Sequence, residues 1–313
     1  MTTHTDFHDT TTGDEVVAAF SAQVTERIFL ITGPTTGGIG AATATALAKG
    51  KPQAIILAGR TPAKFQEVAD EITRLDSNIK VITVVLDLGN LASVRTAAKE
   101  ILDNSNIPHI DVLINNAGIM AKPFSLTPDG IESQFGVNHV GHFLLTNLLM
   151  PKLRASANPT VVNVSSTGYL FGLWDFSDYN WETRPYNIWR GYGQGKLANV
   201  LFAVALAERG IRSTSLNPGI IFGTQLGAHI PPEEWGVLQK MRAETPGIPT
   251  VVNHKTLAQG CSTTLVAALD PGVPVASYLD DCQVAKVDPR AVDPALAKQL
   301  WDLSNKLTGE NFA

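Results

Sequence analysis

The rhythm of apolar runs constrains this chain more than any other feature. From residue 27 onward, short runs too apolar to face water on either side alternate with stretches of helical periodicity. The runs are RIFLIT (27–32), AIILAG (54–59), KVITVVLDL (80–88), DVLINNAG (111–118), TVVNVSS (160–166) and IRSTSLNPG (211–219). Helical patterns fall between them over 38–50, 65–75, 93–102 and about 131–150, and again over 192–210. A strand apolar on both sides must be covered on both sides, which is how strands of a parallel sheet read. Their alternation with helices through short links predicts an α/β fold with a doubly wound parallel sheet and helices on both faces.

No repeat or linker divides residues 27–313, so they are expected to form one Rossmann-type domain. Residues 1–26 read as an N-terminal extension. Its first 13 residues are polar and threonine-rich and are expected to be loose, whereas DEVVAAFSAQV (14–24) reads as a short amphipathic helix with two acids in its first turn. The rhythm breaks from 223 to 254, where four prolines and four glycines are expected to deny a long helix and leave at most a short one over VLQKMRAE (237–244). A long excursion just after a strand is expected to be a lid over the substrate.

The net charge is -5 with no basic block, which argues against nucleic acid as a partner. The longest apolar run, Val200 to Ala207, is far below the roughly 18 residues of a membrane span. Two cysteines make no disulfide framework, and the first residues carry neither a basic n-region nor an apolar core, so a soluble, cytoplasmic protein is expected.

Three motifs carry chemistry. Thr32-Gly33-Pro34-Thr35-Thr36-Gly37-Gly38-Ile39-Gly40 lies between the first strand and the first helix. A diphosphate needs backbone N–H groups at close range with a helix N-terminus behind them, and glycine allows both the turn and the approach. Ala41-Ala42 follows where a nucleotide-triphosphate loop would have Lys-Ser or Lys-Thr. At the end of strand two stands Gly59-Arg60, where an NAD-binding chain places an acid for the ribose hydroxyl; an arginine there pairs with a 2′-phosphate. In Tyr192-Gly193-Gln194-Gly195-Lys196, positions four apart share a helix face. A cation beside the phenol is expected to lower its pKa and make proton exchange with an alcohol feasible near neutrality. Ser166, and Asn115 to Gly118, end strands that open on the same edge of the sheet.

With these motifs the chain resembles the short-chain dehydrogenase/reductases, in particular the retinol-dehydrogenase-like branch and its fungal relatives. The likeness runs from about 14 to 308 through TGPTTGGIG, LDL (86–88), NNAG (115–118), QFGVNHVGHFLLTNLL (134–149), VVNVSS (161–166), YGQGK (192–196), NPG (217–219) and SYLDDCQVA (277–285). The resemblance implies an NADP(H)-dependent enzyme interconverting a carbonyl and an alcohol on a lipophilic small molecule. It implies Tyr192 as general acid and base, Lys196 on the nicotinamide ribose, Ser166 on the substrate oxygen and Asn138 in a water-mediated proton relay. It further implies cofactor contacts from Gly33, Thr35, Gly37, Gly38, Ile39, Gly40, Arg60, Asp87, Leu88, Asn116, Ala117, Gly118, Pro218, Gly219 and Thr224. The chain departs from the family pattern in having one residue more between Gly33 and Gly38, and in placing Thr224 one residue later after Pro218-Gly219.

His139 and His142 are spaced for a metal but lack a third ligand, so packing is expected and no metal. The aromatic insert from Tyr169 to Trp189 reads either as a lipophilic pocket wall or as a core that holds the loop down. The helix after it is apolar nearly all round, which fits internal packing or a homodimer face. Two rivals share parts of the pattern. A nucleotide-sugar epimerase would need glycine at Thr36, and a non-catalytic NADP-sensing regulator would have no need of the serine, tyrosine and lysine that all stand here.

Overall fold

The computed structural model describes residues 1–221, 223–249 and 253–313. Part of the expected lid, residues 250–252, therefore lies outside the described residues. The main strands are β1 (Ile28–Thr32), β2 (Ala54–Gly59), β3 (Lys80–Val85), β4 (Val112–Asn115), β5 (Thr160–Val164) and β6 (Arg212–Leu216). A two-stranded parallel piece, β7 (Ile220–Ile221) with β8 (His254–Lys255), stands apart, and β9 (Tyr278–Asp280) and β10 (Gln283–Val284) follow. The central sheet has eight strands in the order β10-β9-β6-β5-β4-β1-β2-β3. Order reverses between β1 and β4, so the tips of these two strands diverge into the crevice where such sheets bind ligands.

The sheet is not wholly parallel: β10 runs antiparallel to β9. A tight turn through Asp281 and Cys282, both at positive φ, folds that last ribbon back. β3 also departs from the expectation of burial on both faces. It is the edge strand, and Lys80, Thr83 and Val85 are exposed.

The helices are α1 (Gly13–Ala19), α2 (Ile39–Lys49), α3 (Gln66–Leu75), α4 (Leu91–Asp103), α5 (Ser133–Phe135), α6 (Gly141–Leu148), α7 (Met150–Arg154), α8 (Ile188–Glu208), α9 (Pro232–Glu244), α10 (Leu257–Gly260), α11 (Ser262–Leu269) and α12 (Pro294–Thr308). They cover the sheet in two apolar layers. One holds α4, α6, α8 and α12, and the other α1, α2, α3 and α11. The single long helix expected over 131–150 is broken: five π-helical residues, Gly136–Val140, separate α5 from α6. A π turn inserts one residue into the ladder and commonly marks a functional position.

The first residues are not loose. Thr3 donates to Asp270 through its backbone N–H at 2.7 Å and its hydroxyl at 3.0 Å, and Gln283 Nε2 donates to the carbonyls of His4 (2.9 Å) and Phe7 (2.7 Å). Val16, Val17 and Val24 join the core beneath α2. The apolar girth of α8 is consumed inside the chain: Phe202 meets Phe143 at 5.5 Å and Trp301 of α12 at 6.1 Å between ring centroids.

Candidate active site

At the end of β1 the chain turns through Gly33 (φ +69°) and Gly37 (φ +76°), conformations that exclude most side chains. A Cβ on Gly33 would lie 2.8 Å from Cα of Ala117, and one on Gly40 would lie 2.5 Å from Asn116 Nδ2. Glycine at these positions lets the turn sit directly on the tip of β4. Helix α2 then begins at Gly38 with no side chain capping it, which leaves N–H groups at a positive helix end for an anion. A cleft of about 1180 Å³ opens over this helix end. It exceeds a typical small-molecule pocket and has room for a dinucleotide with a substrate. The residues present fit such a group.

Most of the expected contacts line that cleft. They are Gly33, Thr35, Gly37, Gly38, Ile39, Arg60, Asp87, Leu88, Asn116, Ala117, Gly118, Tyr192, Lys196, Pro218 and Thr224. The later position of Thr224 does not remove it from the wall. Gly40, Gly219, Asn138 and Ser166 are not in the lining. Gly40 packs behind the turn, and Gly219 (φ +89°) lies against the stem of Lys255. Arg60 is exposed at the far end of the cleft.

The three residues expected to be catalytic come from two elements. Ser166 caps the short 3-10 turn after β5, and its Oγ accepts from the N–H of Gly168 at 3.0 Å. Tyr192 and Lys196 sit one turn apart on α8, with Nζ of Lys196 5.7 Å from the centroid of the phenol ring. A Cβ on Gly168 would lie 3.1 Å from the ring of Tyr192 and 3.3 Å from Ser166 Oγ, so the glycine sets serine and phenol side by side. Nζ of Lys196 donates to the carbonyl of Val164 at 3.0 Å, and Ser165 Oγ donates to the carbonyl of Lys196 at 2.7 Å.

Burial dominates the ionisation of both groups. It pushes the Tyr192 phenol up to about 12, with the hydrogen bond from Ser166 pulling the other way. It pulls the Lys196 ammonium down to about 8. The expectation that the cation holds the phenol low is therefore reversed in the protein alone. Each charge loses water, and neither gains a close opposite charge in return.

Nδ2 of Asn138 donates to the carbonyl of Ile119 at 2.9 Å, and its Oδ1 accepts from the N–H of Ile119 at 2.8 Å. The side chain is held as a clamp on Ile119, with one N–H and one oxygen lone pair left over for a relay.

The short chain dehydrogenase family model matches residues 27–180. The chain is 39% identical over 295 residues to human retinol dehydrogenase 13, covering 92% of this chain and 86% of that one. It is 37% identical to human retinol dehydrogenase 11, covering 94% and 89% respectively. A solved structure of an uncharacterized protein from Mycobacterium paratuberculosis superposes with a TM-score of 0.70 at 33% identity, covering 92% of this chain and 96% of that one. The chain belongs to the short-chain dehydrogenase/reductase family. Within it the chain is retinol-dehydrogenase-like, and as an oxidoreductase it interconverts a carbonyl and an alcohol.

For a dehydrogenase of this kind, several residues around the site had escaped the sequence reading. Lys64 lines the cleft beside Arg60, and its carbonyl accepts from the N–H of Thr36 at 2.9 Å, tying the loop after β2 to the glycine turn. Its four-residue spacing from Arg60 was the available signal. Thr32 Oγ1 accepts from the N–H groups of Asn116 and Ala117, both at 3.0 Å. No spacing rule marks a threonine whose work is to hold two backbone donors of another strand.

The aromatic insert is core and not pocket wall. Phe135 meets Phe176 at 6.0 Å and Tyr179 at 6.1 Å between centroids, Tyr169 meets Tyr278 at 5.4 Å, and no described residue from 167 to 191 lines the cleft. The Tyr186 hydroxyl donates to the buried carboxylate of Glu132 at 2.9 Å, which fastens the insert to the start of α5.

The segment after β7 also differs from expectation. Helix α9 spans 13 residues, Pro232–Glu244, because Pro231 and Pro232 open a helix instead of interrupting one, and Gly236 is accommodated inside it. The helix buries no residue of its own and leans on Trp189 through Trp235, whose rings are 5.7 Å apart. Ahead of it, Thr224, Gln225, Leu226 and His229 reach the cleft. Among the described residues, no helix is long and apolar enough to cross a membrane.

Proposed function

We propose that this enzyme uses NADP(H) and reduces the carbonyl of a lipophilic small molecule, with the reverse oxidation at the same site. The observation that carries the cofactor choice is the pair of cations, Arg60 and Lys64, at the end of the cleft beyond β2, where no acid follows the strand. Two cations there match a 2′-phosphate, and the position directly after β2 holds Arg60 and not an acid, although Glu67 and Asp87 also line the cleft. The lipophilic substrate rests on Ile119, Phe124 and Leu226 along the same cleft.

When bound, the nicotinamide supplies the hydride. The chain supplies the rest. Tyr192 keeps its proton at neutral pH and is poised to deliver it to the carbonyl oxygen. Ser166 Oγ accepts from Gly168 and its single proton points at the Tyr192 oxygen, so it would turn from the phenol to the carbonyl oxygen when substrate arrives. Lys196 spends one N–H on Val164 and has two left for ribose hydroxyls. The segment 223–249 closes over the reacting atoms and excludes water.

Titrating the protein with NADPH and NADH separately tests the cofactor choice. The preference should be about 10- to 100-fold for NADPH and should largely vanish in Arg60→Ala, the size of a lost charge-assisted pair. Equal affinity for the two cofactors would overturn the assignment. A panel of aliphatic and aromatic carbonyls, followed by loss of reduced-nicotinamide absorbance, tests the substrate class. Amide exchange over 223–249 tests the lid, which should slow once NADPH and a substrate analogue are bound and would be refuted by equal exchange with and without them.

A further inference from the structure

Helix α6 carries a buried histidine that the chemistry above does not use. Nε2 of His142 lies 2.9 Å from Thr32 Oγ1, and Nδ1 lies 3.0 Å from the backbone carbonyl of Asn138. Its ring is 1% exposed, so water does not share these bonds. The two neighbours fix which nitrogen holds the proton. Thr32 Oγ1 has two lone pairs, and the N–H groups of Asn116 and Ala117 take both. Its proton has the carbonyl of Ile114 in reach at 3.4 Å and Nε2 of His142 at 2.9 Å, and the shorter contact makes Nε2 the acceptor. The Asn138 carbonyl can only accept, so Nδ1 must carry the hydrogen. The Asn138 end demands this tautomer and the Thr32 end agrees with it, and burial, which pulls the imidazolium down to about 4, keeps the ring neutral.

These bonds close a circuit. Thr32 holds Asn116 and Ala117, the chain runs on to Ile119, Ile119 is clamped by the side chain of Asn138, and His142 joins the carbonyl of Asn138 back to Thr32. The cofactor-facing loop after β4 is thus held at both ends, and the π turn bearing Asn138 is locked to the tip of β1. We infer that His142 is a positioning residue of this oxidoreductase, which through its Nδ1–H tautomer sets the Asn138 carbonyl and the Asn116–Gly118 loop in register with each other.

The inference rests on the oxidoreductase reading only for its kinetic consequence, and two shortened contacts separate the two ends of the ring. In His142→Asn the amide N–H occupies the place of Nδ1, keeping the Asn138 carbonyl and losing Thr32; the larger change should be a rise of about tenfold in KM for NADPH, the scale of one buried hydrogen bond. In His142→Gln the amide reaches the place of Nε2, keeping Thr32 and releasing the Asn138 carbonyl; the larger change should be a fall of about tenfold in kcat. A histidine that merely fills space would move the same constant in both variants, and that result overturns the inference.

The unliganded wild-type protein gives a second test that no misfolded variant can spoil. With 15N-labelled histidine at about pH 6, His142 should appear as a neutral ring protonated on Nδ1. His139 on the same helical stretch should show the opposite tautomer. Its Nε2 is 2.9 Å from Ser304 Oγ, whose own proton goes to the carbonyl of Leu300 at 2.7 Å, so Nε2 must donate. An Nε2–H tautomer on His142 overturns the inference whatever the variants do. Failure of the functional reading looks different: no NADPH turnover in the wild type, with the Nδ1–H tautomer intact.

Discussion

The two walls of the cleft are built in opposite ways. On the cofactor side, the turn after β1 and the loop after β4 touch through glycines that have no room for a methyl group, and half-buried hydrogen bonds donated by Asn116 to the hydroxyl and carbonyl of Thr32 join them. On the substrate side, residues 223–249 carry a helix with no buried residue, fixed mainly by Trp235 on Trp189 and by Ile230 in a small cluster with Met120. The contrast separates two tasks. A dinucleotide of fixed shape would be met by a surface with no slack, and the proposed lid would give up little on moving.

The largest expected effect falls where the two walls meet. Tyr192→Phe keeps the ring and removes the transferable proton, so turnover should drop by about a hundredfold or more, the weight of a lost general acid. NADPH binding should be nearly unchanged, as a fluorescence titration will read. Wild-type turnover in that variant would rule out Tyr192 as the proton donor.

The rigid wall is tested by Gly40→Ala. The added methyl would strike Asn116 Nδ2 and, at 2.6 Å, the carbonyl oxygen of Gly33, so unfolding in denaturant should report a loss of about 1–3 kcal/mol from overpacking. Unchanged stability would mean that the wall yields and the contrast is overdrawn.

Burial of Lys196 gives a pH signature. Its folded pKa, about 8, lies below the ordinary 10.5, so between these values the unfolded chain binds more protons and stability from this group rises with pH. Below about 8 the full cost of the buried ammonium is present. Comparing wild type with Lys196→Met from pH 8 to 9, below the ordinary phenol pKa of about 10, should show a slope in the wild type that the variant lacks, on the order of 1 kcal/mol over that unit. Parallel curves would mean that the lysine is hydrated.

The smallest effect is expected in the loose wall. Gly236 lies inside α9 with nothing within 4 Å of an added Cβ, so Gly236→Ala should stabilise by roughly 0.5–1 kcal/mol through helix propensity. The same chemical change would then carry opposite signs on the two sides of one cleft. Destabilisation at 236 would show that this helix is packed more tightly than its exposure implies.

Legibility in the sequence follows the same division. The strands and the trio of Ser166, Tyr192 and Lys196 were readable because periodicity and short spacings encode them locally. Helix α9 was misread because prolines that stop a helix from within begin one at its first turn, and only the position of Pro231 and Pro232 ahead of two glutamates distinguishes the cases. The pKa of Tyr192 was misjudged because pairing is visible as spacing while desolvation depends on every layer packed over the site. The role of Thr32 was hidden for a related reason: its partners are backbone groups 84 and 85 residues away, which no side-chain pattern reports.

The anchoring of the first residues has a consequence for the order in which the chain matures. Thr3 leaves the ribosome 267 residues ahead of Asp270, and the side chain of Gln283, which receives His4 and Phe7, comes later still. Closing so long a loop is slow, and domains tend to assemble from the N-terminal side during synthesis. The amino-terminal arm is thus made early and seated late. Until Asp270 and Gln283 have been made, Thr3, His4 and Phe7 lack the partners of these bonds, so this docking waits for the segment from 270 to 283.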